Sequence, residues 1–218
     1  MHRTRIKICG ITRREDAVAA AQLGADAVGL ICYTKAARYI SADRARHIMA
    51  SLPPFVTPVA VFADSTAQQI LDTAREIGLI TVQLNGQEDP ALVGELKHLK
   101  VLKAIRVDRA TIEQELMTWR SAELTALAGI IVEPAHTGEA GGTGVENDWA
   151  TVLDQIQNDR FGRLPLIAAG GLTPTNVADV VRNLNPWAVD VSSGVEESKG
   201  IKSIEKMRDF IAAVRSVH

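Results

Sequence analysis

Eight short aliphatic runs alternate with eight helix-patterned segments from one end of this sequence to the other. The runs are Arg5–Cys9, Ala27–Ile31, Val56–Val61, Leu79–Leu84, Lys100–Ala104, Gly129–Val132, Pro165–Ala168 and Ala188–Val191. The segments that follow them are Arg14–Leu23, Ala42–Ser51, Ala67–Ile77, Pro90–Leu99, Thr111–Trp119, Trp149–Asn158, Pro174–Asn183 and Ser203–Val217. Short apolar runs separated by helical patterns predict parallel strands joined by helical crossovers. Such crossovers keep one hand, which leaves two architectures: an open doubly wound sheet or a closed barrel. Eight units of roughly 27 residues favour the closed α/β form, a single-domain (β/α)8 TIM barrel over residues 1–218. Ser41 and Thr173 stand at N-cap positions, and Pro174 stands at a first helical position. Gly24 and Gly78 each close a helix just before the next strand.

The composition fits buried parallel strands and narrows the classes of partner. Aromatic residues make up only 4% of the chain, so the core must be built from Ala, Val, Ile and Leu. Lys and Arg number 24 against 26 Asp and Glu, with no basic stripe to follow a nucleic-acid backbone. No apolar stretch approaches the length of a bilayer span, and no signal-peptide core opens the chain. Neither nucleic acid nor membrane is therefore an expected partner. Two cysteines do not make a disulfide framework, which favours a reducing cytoplasm. A helical shell with scattered surface apolar residues fits a monomer or a homodimer equally.

The last two strands end in glycine-bearing loops, Ala169-Gly170-Gly171-Leu172 and Asp190-Val191-Ser192-Ser193-Gly194. Glycines after a strand let backbone N–H groups approach an anion, and a following helix start adds its positive end. In an eightfold barrel these two loops are the usual phosphate site, so the expected ligand is a phosphorylated small molecule. Two other connections are long, from Cys32 to Tyr39 and from Pro134 to Asp148, the latter with Gly138, Gly141, Gly142 and Gly144. Both leave strand C-terminal ends, the side on which barrel active sites are built.

Few reactive side chains fall at those ends. Cys9 closes the first strand; a thiolate there could remove a proton, and a neutral thiol would be a small buried hydrophobe. Glu133 closes the sixth, either as a desolvated general acid or as an arginine-paired rim carboxylate. Asp190 closes the eighth, bonding a substrate hydroxyl or amine, or bracing the loop. Arg38 could clamp a carboxylate with its planar fork or be an ordinary surface arginine, and Asn85 could equally be a turn residue. His136 is the one histidine on this side, in a loop where solvation is the commoner state. No Cys/His group has zinc-ligand spacing, and neither a Walker A nor a dinucleotide-binding glycine motif is present, so neither metal nor cofactor is expected.

In order along the chain, these pieces resemble the phosphoribosylanthranilate isomerase family, which has a small (β/α)8 barrel. The resemblance rests on Lys7-Ile8-Cys9-Gly10-Ile11-Thr12, Gly24-Ala25-Asp26-Ala27-Val28-Gly29 and Val82-Gln83-Leu84-Asn85-Gly86. Gly141-Gly142-Thr143-Gly144 with Asp148-Trp149, Ala169-Gly170-Gly171-Leu172, and Asp190 to Glu196 complete it, covering nearly the whole chain. It implies a cofactor-free Amadori rearrangement of an aminoaldose to an aminoketose in tryptophan biosynthesis. By the same resemblance Cys9 is the base at sugar C2, and Glu133 is the acid that opens the furanose ring. Arg38 would hold the anthranilate carboxylate, and Asn85 and Asp190 would contact the substrate. Gly142, Gly170, Gly171, Ser192, Ser193 and Gly194 would hold the phosphate.

Five residues depart from the family pattern. Glu133 replaces aspartate, Asn85 replaces histidine, Ala36-Ala37 replaces a serine-bearing pair, and Cys32 replaces an aromatic residue. A related phosphosugar isomerase, or a phosphate-ligand binding barrel with weak chemistry, are the alternatives that fold alone leaves open.

Overall fold

The computed structural model describes residues 3–107, 112–121, 125–134 and 164–217. Eight parallel strands close into a barrel in chain order. They are β1 (Arg5–Ile8), β2 (Ala27–Ile31), β3 (Thr57–Phe62), β4 (Thr81–Leu84), β5 (Lys100–Val107), β6 (Leu127–Pro134), β7 (Leu166–Ala168) and β8 (Ala188–Val191). Helices α1 (Arg14–Leu23), α2 (Ala42–Met49), α3 (Ala67–Ile77), α4 (Pro90–Glu95), α5 (Ile112–Ser121), α6 (Val177–Leu184) and α7 (Ile204–Arg215) follow their strands. The expected helix Trp149–Asn158 lies outside the described residues, as do the glycine-rich connection before it, Gly142 included, and His136.

Closure is made by β1 against β8, with Lys7 opposite Asp190. Alternation along each strand then divides the side chains between two faces. Ile6, Ile8, Val28, Leu30, Phe62, Leu84 and Val132 join one continuous core with the helices. Each such side chain fully removed from water contributes about 1.5–3 kcal/mol. The other face holds a small apolar layer of Ala104, Ile131, Ile167, Ala169 and Ala188. Buried polar groups join it inside the barrel, among them Lys7, Gln83 and Asp190.

Local signals account for most element ends. Ser41 caps α2 by accepting from the Arg44 N–H, and Thr66 and Gln69 form a reciprocal capping box on α3. Gly24 and Gly78 terminate α1 and α3 in the left-handed region. Strands β5 and β6 run further than the apolar runs suggest, because parallel pairing extends to Arg106 opposite Glu133 and Val107 opposite Pro134. Helix α4 stops at Glu95, short of the expected Leu99, beside the weak helix former Gly94. The N-cap expected at Thr173 is displaced: residues 174–176 form a turn, and α6 begins after Asn176. The Asn176 side chain accepts from the Thr173 N–H at 2.8 Å and donates to the Gly171 carbonyl at 3.0 Å. It thus braces the loop after β7 as well as the helix start. A short hairpin of β9 (Glu196–Ser198) and β10 (Ile201–Lys202) after β8 was not expected, because strands this short carry no readable period.

Candidate active site

A cavity of about 260 Å³ opens at the C-terminal ends of the strands. Cys9, Arg38, Asn85, Glu133, Gly170, Gly171, Asp190, Ser192, Ser193 and Gly194 all line it. Each strand delivers its residue there by the same rule, since period-two alternation points every second side chain inward. Tyr33, Gln83 and Arg106 line it as well.

Beneath the mouth, the Lys7 ammonium lies 2.6 Å from Asp190, and both side chains are 5% exposed. Burial works against the Lys7 charge, but the Asp190 carboxylate and Cys9 overrule it and hold its pKa above the ordinary lysine range. Cys9 Sγ and Lys7 Nζ converge on Gly29: a Cβ placed there would stand 2.6 Å from the sulfur and 3.1 Å from the nitrogen. Burial pushes the Cys9 thiol up, while the Lys7 charge pulls it down and the Asp190 carboxylate pushes it up. The proton on sulfur is therefore held first by burial, with Lys7 opposing that hold and Asp190 adding to it. Lys7 carries no role in the sequence reading, although a lysine two residues before Cys9 in an apolar strand must share its inward face.

Across the cavity, burial raises the Glu133 carboxyl, and the Arg106 charge opposes it. Arg106 Nε lies 3.5 Å from Glu133, and the arginine side chain is 70% exposed. Solvent screens a pair of that kind, so desolvation prevails and favours the protonated acid. The Cβ position of Gly170 is 3.3 Å from Glu133 Cβ, which packs the loop after β7 against the acid's own stem.

Gly170 and Gly171 both have positive φ, 81° and 61°, a backbone course that other residues rarely adopt. A Cβ on Gly194 would overlap the carbonyl oxygen of Leu172, so the loops after β7 and β8 touch backbone to backbone. The short turn Ser193–Val195 starts at this junction. Two buried oxygens, Asp190 Oδ1 and Gln83 Oε1, have no partner among the described residues. Both residues line the cavity, where acceptors left open suit hydroxyl or amine donors. Gln83 Nε2 donates to Asn85 Oδ1 at 3.1 Å, holding Asn85 as part of the wall.

Arg38 is held by Glu196, with Nε 2.7 Å from Oε1 and Nη2 2.6 Å from Oε2. The buried Lys202 ammonium donates to Glu196 at 3.0 Å and to the Ser192 carbonyl at 3.0 Å. Glu196 and Lys202 were missed by sequence reasoning because 158 residues separate Glu196 from Arg38 and no local pattern pairs them. Among the described residues no helix is long and apolar enough to cross a membrane.

Comparison with known proteins gives the family of this barrel. The family model described as N-(5'-phosphoribosyl)anthranilate (PRA) isomerase matches residues 6–213. N-(5'-phosphoribosyl)anthranilate isomerase of Pseudomonas syringae pv. tomato is 42% identical over 215 residues, 98% of each chain. The crystal structure of phosphoribosyl anthranilate isomerase from Thermotoga maritima superimposes with a TM-score of 0.85 at 38% identity, covering 98% of this chain and 99% of that one. A structure of such an isomerase in complex with reduced 1-(o-carboxyphenylamino)-1-deoxyribulose 5-phosphate has a TM-score of 0.83 at 35% identity, with coverage of 98% and 99%. The match runs over nearly the full barrel and includes the strands that carry the cavity, so this chain belongs to the N-(5'-phosphoribosyl)anthranilate isomerase family.

Proposed function

We propose that this chain converts N-(5'-phosphoribosyl)anthranilate to 1-(2-carboxyphenylamino)-1-deoxyribulose 5-phosphate in tryptophan biosynthesis, with Cys9 as base and Glu133 as acid. The observation that carries this reading is the placement of Cys9 and Glu133 on one cavity wall system, with glycine loops and Arg38 lining the same space. Glu133, whose pKa is raised by burial and so suits the role of acid, gives its proton to the furanose ring oxygen, and the ring opens to a Schiff base. The Cys9 thiolate then removes the proton at sugar C2, and the resulting enolamine tautomerises to the aminoketose. The Lys7 ammonium stabilises that thiolate and counters the Asp190 carboxylate beside it. Asp190 Oδ1 and Gln83 Oε1 accept from substrate donors, and Arg38 holds the anthranilate carboxylate. Backbone N–H groups around Gly170, Gly171, Ser192, Ser193 and Gly194 hold the 5-phosphate. Both cysteines are free thiols, which supports a cytoplasmic location.

The test uses freshly generated substrate and follows the loss of its fluorescence. Wild type turns it over, and Cys9→Ala and Glu133→Ala each lose about 10²–10⁴-fold in kcat. Wild-type turnover in both variants would refute the assigned roles, and an inactive wild type would refute the reaction.

A further inference from the structure

Arg38 has five N–H donors, and Glu196 occupies two of them on one edge of the fork, Nε–H and one on Nη2. That leaves the end of the guanidinium, formed by Nη1 and the second Nη2 hydrogen, without a protein partner among the described residues. An end of this shape accepts one carboxylate in a planar, two-point contact. We propose that Glu196 is a positioning residue, which fixes the edge of Arg38 offered to the cavity and so makes the site select ligands that carry an aryl carboxylate. The inference rests on the reading of Arg38 as the carboxylate clamp and adds the group that aims it.

Four contacts make the grip specific. The Cβ position of Gly10 lies 2.7 Å from Arg38 Cδ, so the arginine stem runs close over the backbone next to Cys9 and has little room to swing. Glu196 Oε1 is itself fixed by the Gly200 N–H at 3.2 Å and by Lys202 Nζ at 3.0 Å. Lys202 is 2% exposed and also holds the Ser192 carbonyl, so one ammonium ties the aimed arginine to the loop read as the phosphate grip. The hairpin of β9 and β10 supplies Glu196, Gly200 and Lys202 close together in the chain, which gives that short element a use in the site. A salt bridge that served stability alone would have no bearing on whether a ligand carries a carboxylate. Discrimination is therefore the property to measure.

Calorimetry with the reduced product analogue, and with the same compound lacking its ring carboxylate, provides the test. The proteins are wild type, Arg38→Met, Glu196→Gln and the double variant Glu196→Gln/Lys202→Met, which leaves no unpaired buried ammonium. Wild type prefers the carboxylate form by about 10–100-fold, the value of a charged two-point contact. Glu196→Gln and the double variant each cut that preference by about tenfold. Glu196→Gln binds the other compound within about threefold of wild type, while the double variant, which also loses the Ser192 contact, weakens binding of both compounds further. In turnover, KM rises by about the same tenfold while kcat stays within about threefold. Equal weakening of both compounds by Glu196→Gln, or an undiminished preference in either variant, overturns the proposal. Arg38→Met judges the underlying reading separately: a preference that survives it removes Arg38 as the clamp, whatever Glu196 does.

Discussion

Lys7 and Asp190 face each other across the seam where β1 meets β8, 2.6 Å apart and almost wholly buried, with Cys9 one inward position above the lysine. A buried pair adds little net stability, but removing one member leaves the other charged and unpaired. Beside the sulfur the two charges act in opposite directions, Lys7 lowering the Cys9 pKa and Asp190 raising it.

Lys7→Met should therefore damage catalysis in a directed way. Loss of the ammonium removes the stronger of the two charges that lower the Cys9 pKa, Lys202 being the weaker, and leaves burial and Asp190, which raise it. The expected result is a kcat lower by about tenfold or more at neutral pH, since one pKa unit is a factor of ten in thiolate. The Cys9-governed part of the pH–rate profile should also move to higher pH. An unmoved profile would show that Lys7 acts through packing alone.

Gly194→Ala should separate phosphate binding from chemistry. The added Cβ overlaps the Leu172 carbonyl, which is backbone and cannot rotate away. Overpacking of this kind costs about 1–3 kcal/mol, so the unfolding midpoint should fall and the two loops should part. KM for the phosphorylated substrate should rise by about tenfold or more, while inhibition by inorganic phosphate weakens in parallel. Steady-state kinetics with phosphate as a competitor reads both.

Acid should weaken the fold through Glu196. Burial favours its neutral form, but hydrogen bonds from Arg38 and Lys202 prevail and hold its pKa at about 2, against an ordinary 4.5. A carboxyl whose folded pKa is lowered stabilises the fold above its unfolded pKa and loses that contribution as pH falls through the folded value. Wild type should thus be more stable than Glu196→Gln at pH 6, with the gap in Tm closing between about pH 5 and pH 2. Scanning calorimetry across that range provides the check, and a constant gap would contradict the pairing.

Much of the barrel is legible in the sequence because its signals are local. Ser41, Gly24 and Gly78 mark helix ends through hydrogen bonds and backbone angles set within one turn. The turn at residues 174–176 escaped that reading because the Asn176 side chain, bonded to Thr173 and Gly171, competes with the expected cap. Cys9, Asn85, Glu133 and Asp190 come to the cavity because each stands where an apolar run stops, which in a barrel is the mouth. Lys7 left a usable trace, a charge two residues before Cys9, whereas Glu196, although it ends the motif that starts at Asp190, carried nothing that paired it with Arg38.

By itself, the sequence determined the eightfold alternation, the places where each strand stops, and the glycines that let two loops approach an anion. These follow from periodicity and backbone sterics over a few residues. Only the tertiary structure decided that Lys7 meets Asp190, that Arg38 is gripped by Glu196 and that Lys202 links that grip to Ser192. Ring closure brings the first strand against the last, and side chains more than 150 residues apart come within hydrogen-bond reach. No local pattern encodes such a meeting, because the charges involved are paid for in desolvation only once the barrel has closed around them.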